Sequence, residues 1–152
     1  MKLSDFDFRV WDKEKKQYVK ENSYIFIMKC KNEIKLGANI NHKEKTFFIE
    51  QVKNIIFELW TGYRDKNGKK IFENDIIDSP IMAYNRLVKY EKGNFSLIPS
   101  LKHYIGLKDK EKIKESYLKA IIPITQLEKL EKLKIVEIVG NIHQDKDLFE
   151  NF

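Results

Sequence analysis

The amino-acid sequence predicts a mainly β fold of α+β type, a small barrel or curled antiparallel sheet preceded by a β-rich segment and interrupted by helices. Three observations predict it. Short apolar or alternating stretches recur along the chain with turn residues between them. Asn67-Gly68 stands between apolar and aromatic residues, the strongest short-range hairpin signal, because a type I′ turn requires positive φ at both central positions. Helical periodicity is confined to one late stretch, so strand and helix do not alternate as a parallel α/β fold requires. A chain of 152 residues buries about 70% of the surface its unfolded form exposes and needs no disulfide or metal to hold a core. Ten Phe and seven Tyr favour pleated, half-buried surfaces as the source of that core.

The elements follow in order. Asp5 to Trp11 alternates, with Phe6, Phe8 and Val10 on one face and Asp5, Asp7 and Arg9 on the other, the period of a half-buried strand. The charged run Asp12 to Lys16 is then a turn, and Gln17 to Lys20 returns as a short strand. Tyr24 to Lys29 is an apolar run of strand length, followed by strand candidates at Glu33 to Ile40 and Thr46 to Ile49. Gln51 to Trp60 suits either a strand or a helical turn. Phe57 to Trp60 leads into the Asn-Gly turn, and Lys70 to Asp78 forms the next strand, ended by Pro80, which has no N–H to give a ladder. Asn85 to Tyr90 and Asn94 to Ile98 make a second hairpin in which Gly93 supplies the permissive backbone. From about Leu107 the period turns helical, with Ile113, Tyr117 and Ile121 four residues apart; Pro123 stops this amphipathic helix and the charged run Lys108 to Lys114 takes its exposed face. Thr125 and Glu128 have capping-box spacing for a second short helix reaching Leu133, and Ile135 to Ile142 closes the chain as a strand.

Net charge is +6, which invites an acidic partner, yet of 29 basic residues only Arg9, Arg64 and Arg86 are arginine, the residue that reads phosphates bidentately. Few Ala and many Ile, Lys and Asn are what an AT-rich genome writes whatever the function. Trp60, Tyr63, Arg64, Lys66, Lys69 and Lys70 nevertheless combine cations with stackable rings, the chemistry by which small barrels hold single-stranded nucleic acid. Weighed against that, charged edges also keep a protruding hairpin from pairing with other chains, and Trp60 suits a core. Ile113, Tyr117, Leu118 and Ile121 form an apolar helix face that either caps the sheet or meets another chain.

No catalytic residue, metal ligand or cofactor is assigned. Read as a calcium loop from Asp65, the hairpin puts Gly68 at position 4, where the EF-hand needs glycine at position 6. Glu73 and Asp75 share a side of an alternating strand and Asp78 lies near, but no nucleophile or activating base accompanies them, and Asp75 reads as a turn stabiliser. His42, His103 and His143 are scattered, and Cys30, the single cysteine, reads as a small buried hydrophobe. No glycine-rich phosphate loop or nucleophile elbow is present. Asp5, Asp7 and Arg9 break the amino-terminal apolar run short of signal-peptide length, and no stretch approaches about 20 apolar residues, so no membrane partner and a cytoplasmic location are expected.

Three segments together resemble the YopX family of phage and prophage proteins. They are Phe8 to Tyr18, with its Trp-Asp-Lys turn; Trp60, Thr61-Gly62, Lys66-Asn67-Gly68, Glu73, Asn74 and Asp75-Ile76-Ile77; and Ile138-Val139-Gly140-Asn141-Ile142. Asn74 stands where the family has glycine, which a left-handed backbone tolerates because Asn visits that region. His143-Gln144-Asp145 departs from the closing signature, and Leu101 to Leu133 is longer and more individual than the shared core. The resemblance implies an SH3-like barrel over 57–152 with a helical insertion at about 101–134, an N-terminal β-rich segment over 1–56, and the cytoplasm of a bacterial host. It implies no activity. The expected function is a phage-encoded, non-enzymatic binding protein whose partner is another protein, either itself in a homo-oligomer or a host factor such as a defence or replication component. The alternative is a nucleic-acid-binding module using the basic hairpin.

Overall fold

Antiparallel strands make up most of the regular structure in this computed structural model, which describes residues 6–19, 24–30, 33–40, 43–47, 54–104, 109–128 and 135–149. The chain divides into two compact units, Arg9–Phe57, and Met1–Phe8 with Glu58–Phe152.

In the unit Arg9–Phe57, β1 (Phe8–Asp12) and β2 (Gln17–Tyr18) form a hairpin with Trp11 opposite Tyr18. Asp12 makes its turn: one carboxylate oxygen accepts the N–H groups of Glu14 at 3.0 Å and Lys15 at 2.9 Å. The rings of Trp11 and Tyr18 meet edge-on at 5.0 Å, and the Arg9 guanidinium lies 4.5 Å from the Tyr18 ring centre. β3 (Tyr24–Cys30), β4 (Glu33–Ile40) and β5 (Lys43–Phe47) follow as a three-stranded antiparallel meander. The strand expected at 46–49 thus begins earlier, at Lys43, while 48 and 49, with 51–53 and His42, lie outside the described residues, as does the side chain of Cys30.

The second unit holds most of β6 (Ile55–Arg64), then β7 (Lys70–Phe72), β8 (Asp75–Asp78), β9 (Arg86–Glu91), β10 (Asn94–Pro99), α1 (Lys110–Ala120), β11 (Ile122–Pro123) and β12 (Glu137–Asn141). Five of these strands form a sheet of order β11-β10-β9-β8-β12, and β6 pairs with β7. Apolar doublets explain why this sheet is covered on both faces, since successive strand side chains point opposite ways. Ile77, Val88 and Leu97 enter one cluster with Ile71, Ile124, Leu127 and Val136. Their neighbours Ile76, Leu87 and Ile98 enter the other, with Phe149 and Ile142.

Two turns differ from expectation. The Asn-Gly hairpin is not type I′: the Gly68 N–H donates to the Asp65 carbonyl at 2.9 Å and the Asp65 N–H to the Lys69 carbonyl at 2.8 Å, while Gly68 has φ +79° and Asn67 keeps negative φ. That is a tight turn over Asp65 to Gly68 closed by a glycine bulge, and Asp65 selects it by accepting the N–H groups of Asn67 and Lys69, each at 2.9 Å. The primed geometry occurs instead at Lys92-Gly93, where φ is 51° and 85°. The strand expected from Lys70 to Asp78 is broken by a turn at Glu73-Asn74, with Asn74 at φ 65°, the left-handed backbone anticipated for it.

Helix α1 is capped by Asp109, whose carboxylate accepts the Lys112 N–H at 3.1 Å. Thr125, expected to cap the second short helix, lies inside a 3-10 turn, Ile124–Gln126, led by Pro123. Residues 129–133 of the second expected helix lie outside the described ones.

Candidate functional site

Strand β6 and the turn after it position the basic hairpin. Trp60 is half-buried, and its indole Nε1 donates to the Tyr63 carbonyl at 2.9 Å. Lys70 Nζ sits 4.8 Å from the Trp60 ring centre and 2.6 Å from Asp7 Oδ2. The Arg64 guanidinium lies 5.9 Å from the same ring and donates to the Gly68 carbonyl at 2.7 Å. Lys66 pairs with Glu137, and Tyr63 packs against the first core cluster. Lys69 is exposed. Three of the four cations are therefore already engaged, and the Trp60 ring already carries cations on its approach. Such half-exposed pairs are worth only about 0–1 kcal/mol and open easily, but a phosphate displacing one meets the carboxylate left behind.

The helix face divides. Tyr117 is buried, its ring edge-on to Tyr104 at 6.1 Å, and Ile113 and Ile121 are half-buried beside it. Leu118, one position and about 100° further round the helix, is 57% exposed. Four-residue spacing groups Ile113, Tyr117 and Ile121 on the inner face and leaves Leu118 alone in solvent.

A third constellation escaped the sequence reading. Glu58, on β6, is fully buried. Its Oε1 accepts the Asn74 side-chain amide at 2.9 Å and lies 2.8 Å from His143 Nε2. Asp75 is buried beside these residues; Oδ2 accepts the Phe72 N–H at 2.8 Å, which is the turn-stabilising role expected of it, and Oδ1 accepts the Asn141 amide at 3.4 Å. Asn141 in turn accepts the His143 N–H at 3.0 Å, and Asp145 accepts the Asn141 N–H at 2.9 Å. A Cβ on Gly140 would stand 2.8 Å from the Asp145 side chain, so only glycine allows this approach. Glu73 faces Lys89 at 3.3 Å, and the turn at Glu73-Asn74 removes the shared side expected for Glu73 and Asp75. The network joins the central segment to the closing one. Asp75 and Asn141 were legible as signature residues, whereas Glu58, in an apolar run, gave no signal, because partners 16 and 85 positions away leave no local pattern.

Among the described residues, no group of three or more His, Cys, Asp or Glu side chains is placed to hold a metal ion. Among the same residues no helix is long and apolar enough to cross a membrane.

Protein EF1440 from Enterococcus faecalis has a similar solved structure, with TM-score 0.53 and 19% identity over 95% of this chain and 98% of that one. Protein yopX from Bacillus subtilis is similar at TM-score 0.49 and 19% identity, over 94% and 97%. At such identity the EF1440 likeness speaks to the mainly β fold alone. No curated protein matches. The family described as YopX protein matches residues 7–150, a span that takes in all three of the segments that carry the resemblance. The chain belongs to the YopX family.

Proposed function

We propose that this protein is a phage-encoded, non-enzymatic binding protein that acts through contact with another protein in the cytoplasm of a bacterial host, either a second copy or a host factor of the defence or replication machinery. The observation that carries the reading is the division of labour between signature and insertion. The polar side chains of the signatures are spent on one another inside the fold, while the individual helix α1 presents Leu118 outward at 57% exposure. A partner that covered this side chain would remove its apolar surface from water, which favours association. The test is affinity purification from host cells with and without nuclease, using the parent and Leu118→Glu, together with sedimentation of the pure protein across a concentration range. Retention that survives nuclease and falls with Leu118→Glu is the expected result. Retention lost to nuclease, or turnover of a small molecule by the pure monomer, sinks the reading.

The nucleic-acid reading is the second proposal, favoured by exposed Lys69 at the tip of a hairpin with an aromatic base. It predicts single-strand binding that weakens steeply with salt, with a slope reduced by Lys69→Glu. Flat anisotropy at low salt removes it.

We also read the second unit as an SH3-like barrel. The support is the way the turn after β6 meets the approach to β12: the Lys66 N–H donates to the Val136 carbonyl at 2.7 Å, and Asp65 accepts the Ile138 N–H at 3.3 Å.

A further inference from the structure

Arg86 opens β9 and is only 9% exposed. Its Nη1 donates to the Ala120 carbonyl at 2.6 Å, at the end of α1, and to the Leu97 carbonyl at 3.4 Å. Its Nε is buried and bonds to nothing, the one such side-chain atom among the described residues. No carboxylate pairs with this guanidinium among the described residues. A guanidinium does not deprotonate in proteins, so the charge persists and burial without compensation is costly. The negative end of the α1 dipole, equivalent to about half a charge, accounts for Nη1. It does not account for Nε. Around the guanidinium the surroundings are aromatic: the Tyr84 ring centre is 5.0 Å away, and the Tyr104 hydroxyl hydrogen-bonds with Tyr84 within electrostatic reach of Arg86.

We propose that Arg86, Tyr84 and Tyr104 form a site for one small free oxyanion, a carboxylate or a phosphate, received on the Nε edge of the guanidinium. With Nη1 committed to main-chain carbonyls, the Nε and Nη2 donors remain, and these two parallel N–H groups match two oxygens of a carboxylate or phosphate. Burial holds the Tyr104 hydroxyl above its ordinary range, Tyr84 adds to this and Arg86 opposes it, so Tyr104 keeps its proton in the bond with Tyr84 and that pair walls the guanidinium. Tyr84 is half-buried and gives the anion its side of entry. Arg86 thereby binds helix end and ligand with opposite edges of one planar group.

The test follows the Arg86 Nε–H resonance in the full-length protein during titration with sodium phosphate, sodium acetate and sodium chloride at equal ionic strength. Only three arginines are present, so Arg9 and Arg64 serve as internal controls. A saturable shift at Arg86 with phosphate or acetate, several-fold larger than at Arg64 and absent with chloride, is expected; the two salts separate tetrahedral from planar ligands. Thermal stabilisation by the same anion should be lost in Arg86→Lys, which retains a donor for Ala120, and weakened in Tyr84→Phe. A response identical for all three salts overturns the site, and so does a shift shared equally by Arg64. Should Arg86→Lys fail to fold, the titration of the parent protein still decides.

Discussion

At the scale of single residues, the family signature is a set of solutions to packing and backbone problems. Asn74 must hold φ 65° and also deliver an amide to a buried carboxylate. Glycine meets only the first demand and alanine meets neither. Asn74→Gly should therefore cost about 1–3 kcal/mol for the bond lost at Glu58, and Asn74→Ala about 1–2 kcal/mol more for the left-handed backbone, read from paired denaturant unfolding curves. Equal losses in the two variants would mean that conformation contributes little. Gly140→Ala drives a methyl into Asp145, whose carboxylate holds the Asn141 N–H, and should cost about 1–3 kcal/mol by overpacking. An unchanged unfolding midpoint would refute the close approach. Four-residue spacing on α1 was legible as an apolar set, and Tyr117 took its inner place; that Leu118 faces water follows only once the helix is docked.

Elements owe their boundaries to polar side chains as much as to apolar pattern. Asp65, Asp109 and Asp12 each accept main-chain N–H groups that no neighbouring strand or helix turn can satisfy. The pair Tyr104 and Tyr117 fastens α1 to the segment after β10, and burial raises both hydroxyls, with Tyr84 adding at Tyr104 and Glu91 at Tyr117. Folding thus holds their protons more tightly than the unfolded chain does. The stability they contribute is complete below about pH 10, the unfolded value, and is lost as pH rises through the raised folded values. Thermal midpoints should consequently fall above about pH 10, and the fall should be shallower in Tyr104→Phe and Tyr117→Phe than in the parent. Parallel alkaline curves for all three proteins would contradict that. Lysine titration is common to the three, so the difference isolates the tyrosines.

For the whole molecule, charge is the property most easily misread. A net +6 resembles a nucleic-acid footprint, yet Lys66, Lys70 and Lys89 each face a carboxylate. Affinity for single strands, if electrostatic, should fall with salt by a slope below the count of hairpin cations, because the salt that screens phosphates also frees these pairs. A slope equal to that count would mean that every hairpin cation meets a phosphate. Leu118→Glu, by contrast, should leave the thermal midpoint within about 0.5 kcal/mol of the parent while weakening self-association or partner capture. A large loss of stability would place Leu118 inside the fold.

Periodicity, turn residues and proline act within a few positions of themselves, and for that reason most of the strands, the second hairpin, α1 and the family signatures could be read from the chain alone, whereas the break at Glu73-Asn74 and the short strand at Ile122–Pro123 could not. The same locality explains the misjudged Asn-Gly turn: two residues admit a primed turn, but Asp65, two positions earlier, offers a carboxylate that stabilises a different closure. Glu58 in an apolar strand, His143 beyond the signature and Arg86 at the start of β9 have roles set by residues far along the sequence. Burial removes water as their partner, and only the folded chain decides which distant group replaces it.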